Sequence, residues 1–217
     1  MGTKLLSTFC LFFLLATTPI LANENLIALT FDDGPTRYTN YILDVLEAHN
    51  SHATFFVVGT NVERNPHILQ RIANQGHEIG NHTWNHEQLI TLRPAEIKRT
   101  IRQTSTAVRD ITGSYPTLFR PPYGSFDLRE RTLIRWLGYP IIMWSVDTRD
   151  WESRNSNTIF NHIVSNAEHG AIILMHDTHR STYEAVARAI PHLIDQGFTL
   201  VTVSDLLGNT VAGNVYR

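Results

Sequence analysis

The chain has 217 residues, 42% of them hydrophobic, and 18 basic against 20 acidic side chains give it a formal net charge of −2. This balance, together with the lack of any block of basic residues, excludes nucleic acid and anionic membrane surfaces as expected partners. Cys10 is the single cysteine, so a disulfide within the chain is excluded as well.

Residues 1–22 show the order of regions that is typical of a secretory signal peptide. Lys4 precedes an apolar stretch over residues 5–15, and cleavage is expected after Ala22. This stretch is shorter than the roughly 20 residues that span a bilayer, although an uncleaved anchor is the competing interpretation. We therefore expect a mature domain, residues 23–217, that is secreted or located in the periplasm or cell envelope. It is expected to be a monomer with no stable membrane span and no thiol, so any metal must be bound by nitrogen and oxygen donors.

In the mature chain, short apolar runs alternate with longer amphipathic segments. Strands are expected at residues 26–31, 53–58, 78–80, 118–119, 140–145, 171–175 and 199–203. Helices are expected at residues 39–49, 66–75, 94–112, 127–137, 157–167 and 183–195. Alternation of this kind indicates an α/β protein whose parallel sheet is covered by helices. The periodicity is equally compatible with a (β/α) barrel and with an open doubly wound sheet.

Polar clusters follow most of the predicted strands. They are the Asp32–Asp33 pair and residues 81–86, 120–124, 147–151 and 176–179. In either architecture the carboxyl ends of parallel strands meet at one rim, where active sites of α/β proteins lie. The five clusters are therefore expected to form a single site.

Two adjacent carboxylates at the end of a buried strand suggest a cation, because ionised carboxylates repel each other unless a positive charge lies between them. His82 and His86 are four residues apart, so on a helical turn both imidazoles face the same side and can share an ion. Two imidazoles and one carboxylate form a three-ligand set with open positions, as in catalytic sites. This set suits Zn²⁺, while Co²⁺, Ni²⁺, Mn²⁺ and Fe²⁺ remain open.

Five motifs occur in an order and spacing that resemble those of the polysaccharide deacetylases, also known as carbohydrate esterase family 4 or NodB-homology enzymes. They are TFDDGP at residue 30, HTWNH at residue 82, RPPYG at residue 120, DTRDW at residue 147 and ILMHD at residue 173. The resemblance extends over about residues 26–207. It implies a distorted, incomplete (β/α) barrel of parallel strands with its active site at the carboxyl-end rim.

The same resemblance implies a role for each matching residue. Asp32 corresponds to the general base and Arg120 to the residue that orients it, with Asp147 as a further partner of Arg120. Metal ligands are implied at Asp33, His82 and His86. The general acid corresponds to His176, its orienting partner to Asp150, and the oxyanion donor to the backbone N–H of Tyr123. The wall of the acetyl pocket corresponds to Trp151 and Leu174.

The resulting expectation is a metal-dependent N-deacetylase that acts on an N-acetylglucosamine-containing polysaccharide, peptidoglycan or chitin-like, with zinc as its ion. Trp84, Tyr123 and Trp151 are expected to offer apolar faces to sugar rings. The alternatives are a deacetylase of another polymer such as acetylated xylan, and a catalytically silent glycan-binding homologue. A glycoside hydrolase that uses paired carboxylates leaves the two histidines without a role. A non-haem iron oxygenase also uses two histidines and a carboxylate, but the strand–helix alternation argues against it.

Overall fold

The computed structural model describes residues 25–217. The predicted signal peptide, residues 1–22, lies outside the described residues. The strands are β1 (Asn25–Asp32), β2 (Thr54–Val57), β3 (Glu78–Asn81), β4 (Leu118–Phe119), β5 (Ile141–Ile142), β6 (Val146–Asp147), β7 (Ile172–His176), β8 (Phe198–Leu200) and β9 (Val215–Tyr216). The helices are α1 (Arg37–Ala48), α2 (Gly59–Arg64), α3 (Pro66–Asn74), α4 (Pro94–Thr112), α5 (Leu128–Trp136), α6 (Asp150–Ser153), α7 (Ser156–Ser165), α8 (Arg180–Asp195) and α9 (Val203–Leu207). In this part of the chain no helix combines the length and the apolar character that crossing a membrane requires.

The strands form one parallel sheet in the order β6-β7-β1-β2-β3-β4-β5-β9, and β8 pairs with the start of β1. The sheet curls without closing, since β6 and β9 each pair with a single neighbour. Helices cover its outer face. The expected incomplete (β/α) barrel of parallel strands is confirmed.

Alternation along β1 separates the helix-facing core from the barrel interior. Ile27, Leu29 and Phe31 pack against the helices in the main hydrophobic cluster, where the rings of Phe31 and Phe55 stack with centroids 5.1 Å apart. The alternate side chains, including Thr30 and Asp32, point the other way. The rim at the end of β1 therefore continues the inward face of this central strand.

Local patterning located the long helices but not all the strands. The six predicted helices are confirmed, with bounds that differ by at most three residues. The predicted strand 140–145 is confirmed at residues 141–142, which form β5, and is wrong beyond them, because the chain leaves β5 there and forms the separate β6 against β7 at the far edge of the sheet. Residues 143–145 bridge the open side of the barrel. The predicted strand 199–203 ends at Leu200, since Thr202 caps α9 by accepting a hydrogen bond from the Asp205 N–H.

Candidate active site

The carboxyl ends of the strands surround a cavity of about 500 Å³. Nine of the eleven residues to which the resemblance gives a role line it: Asp32, Asp33, His82, His86, Tyr123, Asp147, Trp151, Leu174 and His176. The other two, Arg120 and Asp150, lie buried behind this lining and bond to Asp32 and His176 respectively. Strand register explains why distant motifs meet, because Asp32 at the end of β1 is paired directly with His176 at the end of β7.

Arg120 occupies the interior of the barrel and is fully buried. Its Nη1 donates to Asp32 Oδ1 at 2.7 Å and to Thr30 Oγ1 at 2.9 Å. Its other groups donate to the carbonyls of Ile142 and Met143, and its guanidinium stacks 4.0 Å from the ring centroid of Phe56. Arg120 therefore places a buried positive charge directly against Asp32 and fixes the direction in which this carboxylate faces the cavity.

The predicted pairing of Asp147 with Arg120 is wrong. Asp147 lies at the cavity wall and accepts from the backbone N–H of Arg149 at 2.9 Å. Within residues 25–217 the side-chain hydrogen bonds of Arg120 go to the groups named above, and Asp147 is not among them. The separation follows from the break between β5 and β6, which carries Asp147 to the opposite edge of the sheet.

The three predicted metal ligands come together at one point of the rim. One potential ligand atom from each of Asp33, His82 and His86 lies within 4.8 Å of the others. Asp33 Oδ1 lies 3.5 Å from His82 Nε2 and 3.3 Å from His86 Nε2. The expected helical turn is wrong, however. Residues 82–86 form an irregular loop, in which Thr83 (φ 67°) and His86 (φ 55°) have left-handed backbone. The loop, not helical spacing, turns both imidazoles toward Asp33.

This triad fits a divalent cation. Asp33 Oδ1 is buried and has no hydrogen-bond partner among residues 25–217, which is costly for a carboxylate oxygen unless something else binds it. His82 Nδ1 donates to the Arg120 carbonyl at 2.7 Å, so Nε2 carries a free lone pair, the arrangement typical of histidine ligands. Burial and the neighbouring His82 lower the pKa of His86, which favours the neutral imidazole that a metal needs.

His176 and Asp150 form a second buried pair on the opposite side of the cavity. His176 Nδ1 donates to Asp150 Oδ1 at 2.7 Å, and Asp150 Oδ2 accepts from the His176 backbone N–H and from Thr182. Burial opposes the positive charge of His176, but the hydrogen bond and charge of Asp150 outweigh it and raise the pKa of His176 to about 9. His176 is thus protonated near neutral pH, with Nε2–H available to the cavity.

The predicted aromatic faces are only partly at the cavity. Leu174 and the half-exposed Trp151 line it, as does Tyr123, whose ring meets that of His86 edge-on with centroids 4.5 Å apart. Trp84 does not line it, so its expected place in the groove is wrong. Its ring packs over Gly59, where an added Cβ would lie 2.2 Å from the indole. Trp144, which sequence reasoning passed over, lies at the cavity instead.

Asp177 is a buried acid that the sequence analysis did not select, although it adjoins His176 in its motif. Its Oδ2 accepts from Thr39 Oγ1, and an added Cβ at Gly34 would lie 2.1 Å from the same oxygen. Burial raises the pKa of Asp177 to about 7. Asp177 therefore ties the first turn of α1 to the end of β7, and glycine at position 34 makes room for its carboxyl group.

Left-handed backbone is concentrated around the site. Seven described non-glycine residues have positive φ, and six of them lie in the rim loops: Asp33, Thr83, His86, Tyr123, Arg149 and Arg154. Each such residue costs on the order of 1–3 kcal/mol, and such costs cluster at functional sites. The loops are therefore held in place by the surrounding fold rather than by their own preferences.

Comparisons with known proteins agree with this geometry. The family model described as polysaccharide deacetylase matches residues 21–142. The peptidoglycan-N-acetylglucosamine deacetylase PgdA of Listeria monocytogenes is 43% identical over 183 residues, which make up 84% of this chain but 39% of that protein. A peptidoglycan-N-acetylglucosamine deacetylase of Bacillus cereus is 39% identical over 191 residues, covering 85% of this chain and 89% of that protein. The solved structure of T48 deacetylase with substrate matches with a TM-score of 0.85 at 38% identity, covering 89% of this chain and 97% of that chain.

Proposed function

The chain belongs to the polysaccharide deacetylase family, and from that premise we propose that it is a metal-dependent N-deacetylase acting on an N-acetylglucosamine-containing polysaccharide. The named activities of the relatives favour peptidoglycan, with a chitin-like polymer as the alternative. The proposed location is outside the cytoplasm or in the cell envelope, with residues 1–22 removed as a signal peptide and residues 23–217 acting as a monomer.

One observation carries the proposal: a candidate base held by an arginine and a candidate acid held by an aspartate face one cavity beside a candidate cation site. Asp32 is paired with the buried Arg120, whereas Asp150 raises the pKa of His176 to about 9. Hydrolysis of an amide needs a base and an acid at once, because the base removes a proton from water and the acid protonates the leaving amine.

The residues suggest the following sequence of events. Asp32 accepts a proton from the water that attacks the acetyl carbon, and the backbone N–H of Tyr123 stabilises the oxyanion. His176 donates its Nε2 proton to the nitrogen as the C–N bond breaks, leaving acetate and a free amine. Trp151 and Leu174 enclose the methyl group and exclude water around it.

Asp33, His82 and His86 would hold a divalent ion. Zn²⁺ suits this donor set best, with Co²⁺ or another first-row ion as the alternative. When bound, such an ion polarises the acetamido carbonyl and lowers the pKa of water toward about 7.

Acetate release from a β-1,4-linked N-acetylglucosamine tetramer tests the proposed function. We expect acetate without new reducing ends, because the C–N bond and not the glycosidic bond is cleaved. New reducing ends without acetate would instead indicate a glycoside hydrolase. Binding of the tetramer with no product would indicate a silent homologue, and acetate released from acetylated xylan alone would move the substrate to that polymer.

The pH profile tests the acid. Because His176 must be protonated, we expect kcat/KM to fall as the pH rises above about 9. In the Asp150→Asn variant, burial is opposed only by the charges of Asp32 and Asp33, so the pKa of His176 should fall and the alkaline limb should move down by about two pH units. The pKa of His176 is higher in the folded protein than the ordinary histidine value. Protonated His176 therefore stabilises the fold below that ordinary value, and this contribution to the free energy of unfolding is lost as the pH rises through about 9.

Asp195→Asn, at an exposed position at the end of α8, is the matched control and should keep the parent profile. An unchanged alkaline limb in Asp150→Asn would contradict the role of His176.

A further inference from the structure

A second groove continues from the cavity. Arg154, Thr178 and His179 line both. The remaining wall of the groove is formed by Tyr38, Arg180, Ser181 and Glu184. A polymer whose reacting sugar sits in the cavity can therefore extend along this groove past Arg154.

Arg154 is held in place at the junction of the two. Its Nε donates to the Trp151 carbonyl at 2.7 Å, and its Nη1 lies 3.0 Å from His179 Nδ1. A guanidinium can only donate, so His179 Nδ1 accepts and His179 Nε2 carries the proton, which it directs to Thr178 Oγ1 at 3.1 Å. Both partners of Arg154 are uncharged in this arrangement.

The charge of Arg154 is not compensated by a carboxylate. Neighbouring arginines form ion pairs: Arg149 with Glu152, and Arg180 with Glu184 at 2.7 Å. Among residues 25–217, no carboxylate oxygen lies within 4.0 Å of the Arg154 guanidinium. Asp147, which also lines the cavity, accepts from the backbone of Arg149. A fixed, unpaired guanidinium at the mouth of a site attracts an anion.

An apolar surface lies beside the guanidinium of Arg154. Next to it, Trp151 leaves about half its surface exposed, which gives a sugar ring an apolar face beside the cation.

We propose that Arg154 binds a carboxylate carried by the glycan next to the sugar that is deacetylated. This inference rests on the proposed N-deacetylase function and narrows its substrate class to anionic N-acetylated glycans, in preference to neutral chitin-like chains. In peptidoglycan the carboxylate has two possible sources: the lactyl ether group of a peptide-free muramic acid, or a stem peptide. Both present the same planar anion to a guanidinium fork.

The experiment measures kcat and KM for acetate release by the parent protein and by Arg154→Gln on four substrates. These are peptide-free glycan strands of alternating N-acetylglucosamine and N-acetylmuramic acid, the same strands with carboxyls converted to amides, strands with stem peptides, and the N-acetylglucosamine tetramer. We expect Arg154→Gln to raise KM about ten- to a hundredfold on the carboxylate strands, and to leave the values for the amidated strands and tetramer unchanged. A rise confined to peptide-free strands identifies the lactyl carboxylate, and a rise confined to peptide-bearing strands identifies the stem peptide.

Two further variants separate binding from structure. Arg154→Lys keeps the charge and should recover part of the lost affinity. Arg149→Gln is the matched control. Arg149 lies at the other end of α6 with the same left-handed backbone (φ 52°), but it is paired with Glu152. The KM values of this variant should therefore not depend on whether the substrate carries a carboxylate. Equal losses on charged and neutral substrates, or no loss in Arg154→Gln, would overturn the inference. If the parent protein released no acetate from any substrate, the proposed function itself would fail instead.

Discussion

Replacing Asp32 by asparagine is expected to lower kcat for acetate release by about a thousandfold, because general base catalysis contributes about 10²–10⁴. Asparagine has nearly the same shape as aspartate and can still accept from Arg120, but it cannot take a proton from water. The substitution removes the only carboxylate that the structure pairs with Arg120 among the described residues. Steady-state acetate release at fixed ion concentration measures the effect.

Stability must be followed in the same variant, because Arg120 is fully buried. Removing one member of a buried pair costs about 3–5 kcal/mol, so the free energy of unfolding should fall in Asp32→Asn. Rates are therefore compared at a temperature where circular dichroism shows both proteins folded. Asp44→Asn, an exposed partner of Arg71, makes the same chemical change away from the cavity and should retain full activity. If Asp32→Asn kept the parent kcat while folded, Asp32 would not be the base.

Loss of the cation site is expected to have an equally large effect. Asparagine is the suitable replacement for Asp33, because φ is 74° there and asparagine tolerates left-handed backbone. We expect Asp33→Asn, or treatment of the parent protein with a chelator, to reduce acetate release about a thousandfold or more, since a catalytic ion typically supplies several kcal/mol. Without it the reaction depends on Asp32, His176 and the backbone N–H of Tyr123.

Metal analysis gives a readout that does not depend on activity. The parent protein should bind one Zn²⁺ per chain and melt at a higher temperature when it is loaded, because an ion that binds only the folded state stabilises it. Asp33→Asn should lose both properties, and chelated parent protein should regain activity with Zn²⁺ or Co²⁺. His67→Gln, an exposed position on α3, is the control and should bind as the parent does. Equal metal content in Asp33→Asn and the parent would refute the site.

The sequence was most informative where chemistry follows a strand. Apolar runs with polar residues directly after them predicted both the parallel sheet and a common rim, since parallel strands present their carboxyl ends on one side. The long helices were predictable as well, because amphipathic periodicity and end residues such as Pro94 and Gly113 act locally. Residue type and spacing selected the two histidines and one carboxylate of the Asp32–Asp33 pair, the family resemblance pointed to Asp33, and the structure brings potential ligand atoms of Asp33 and both histidines within 4.8 Å of one another.

Tertiary structure decided what local patterns do not contain. The buried position of Arg120 depends on hydrogen bonds to β1 and to residues 142–143, more than 20 positions away in the chain. Three further features depend likewise on neighbours that sequence periodicity does not reveal. They are the loop that carries His82 and His86, the separation of residues 140–147 between two parts of the sheet, and the burial of Asp177 beside Gly34. Amino-acid sequence alone thus determined which strand ends carry the reactive groups. The positions of those groups follow only from long-range packing, because it holds left-handed loops in conformations that their own residues do not favour.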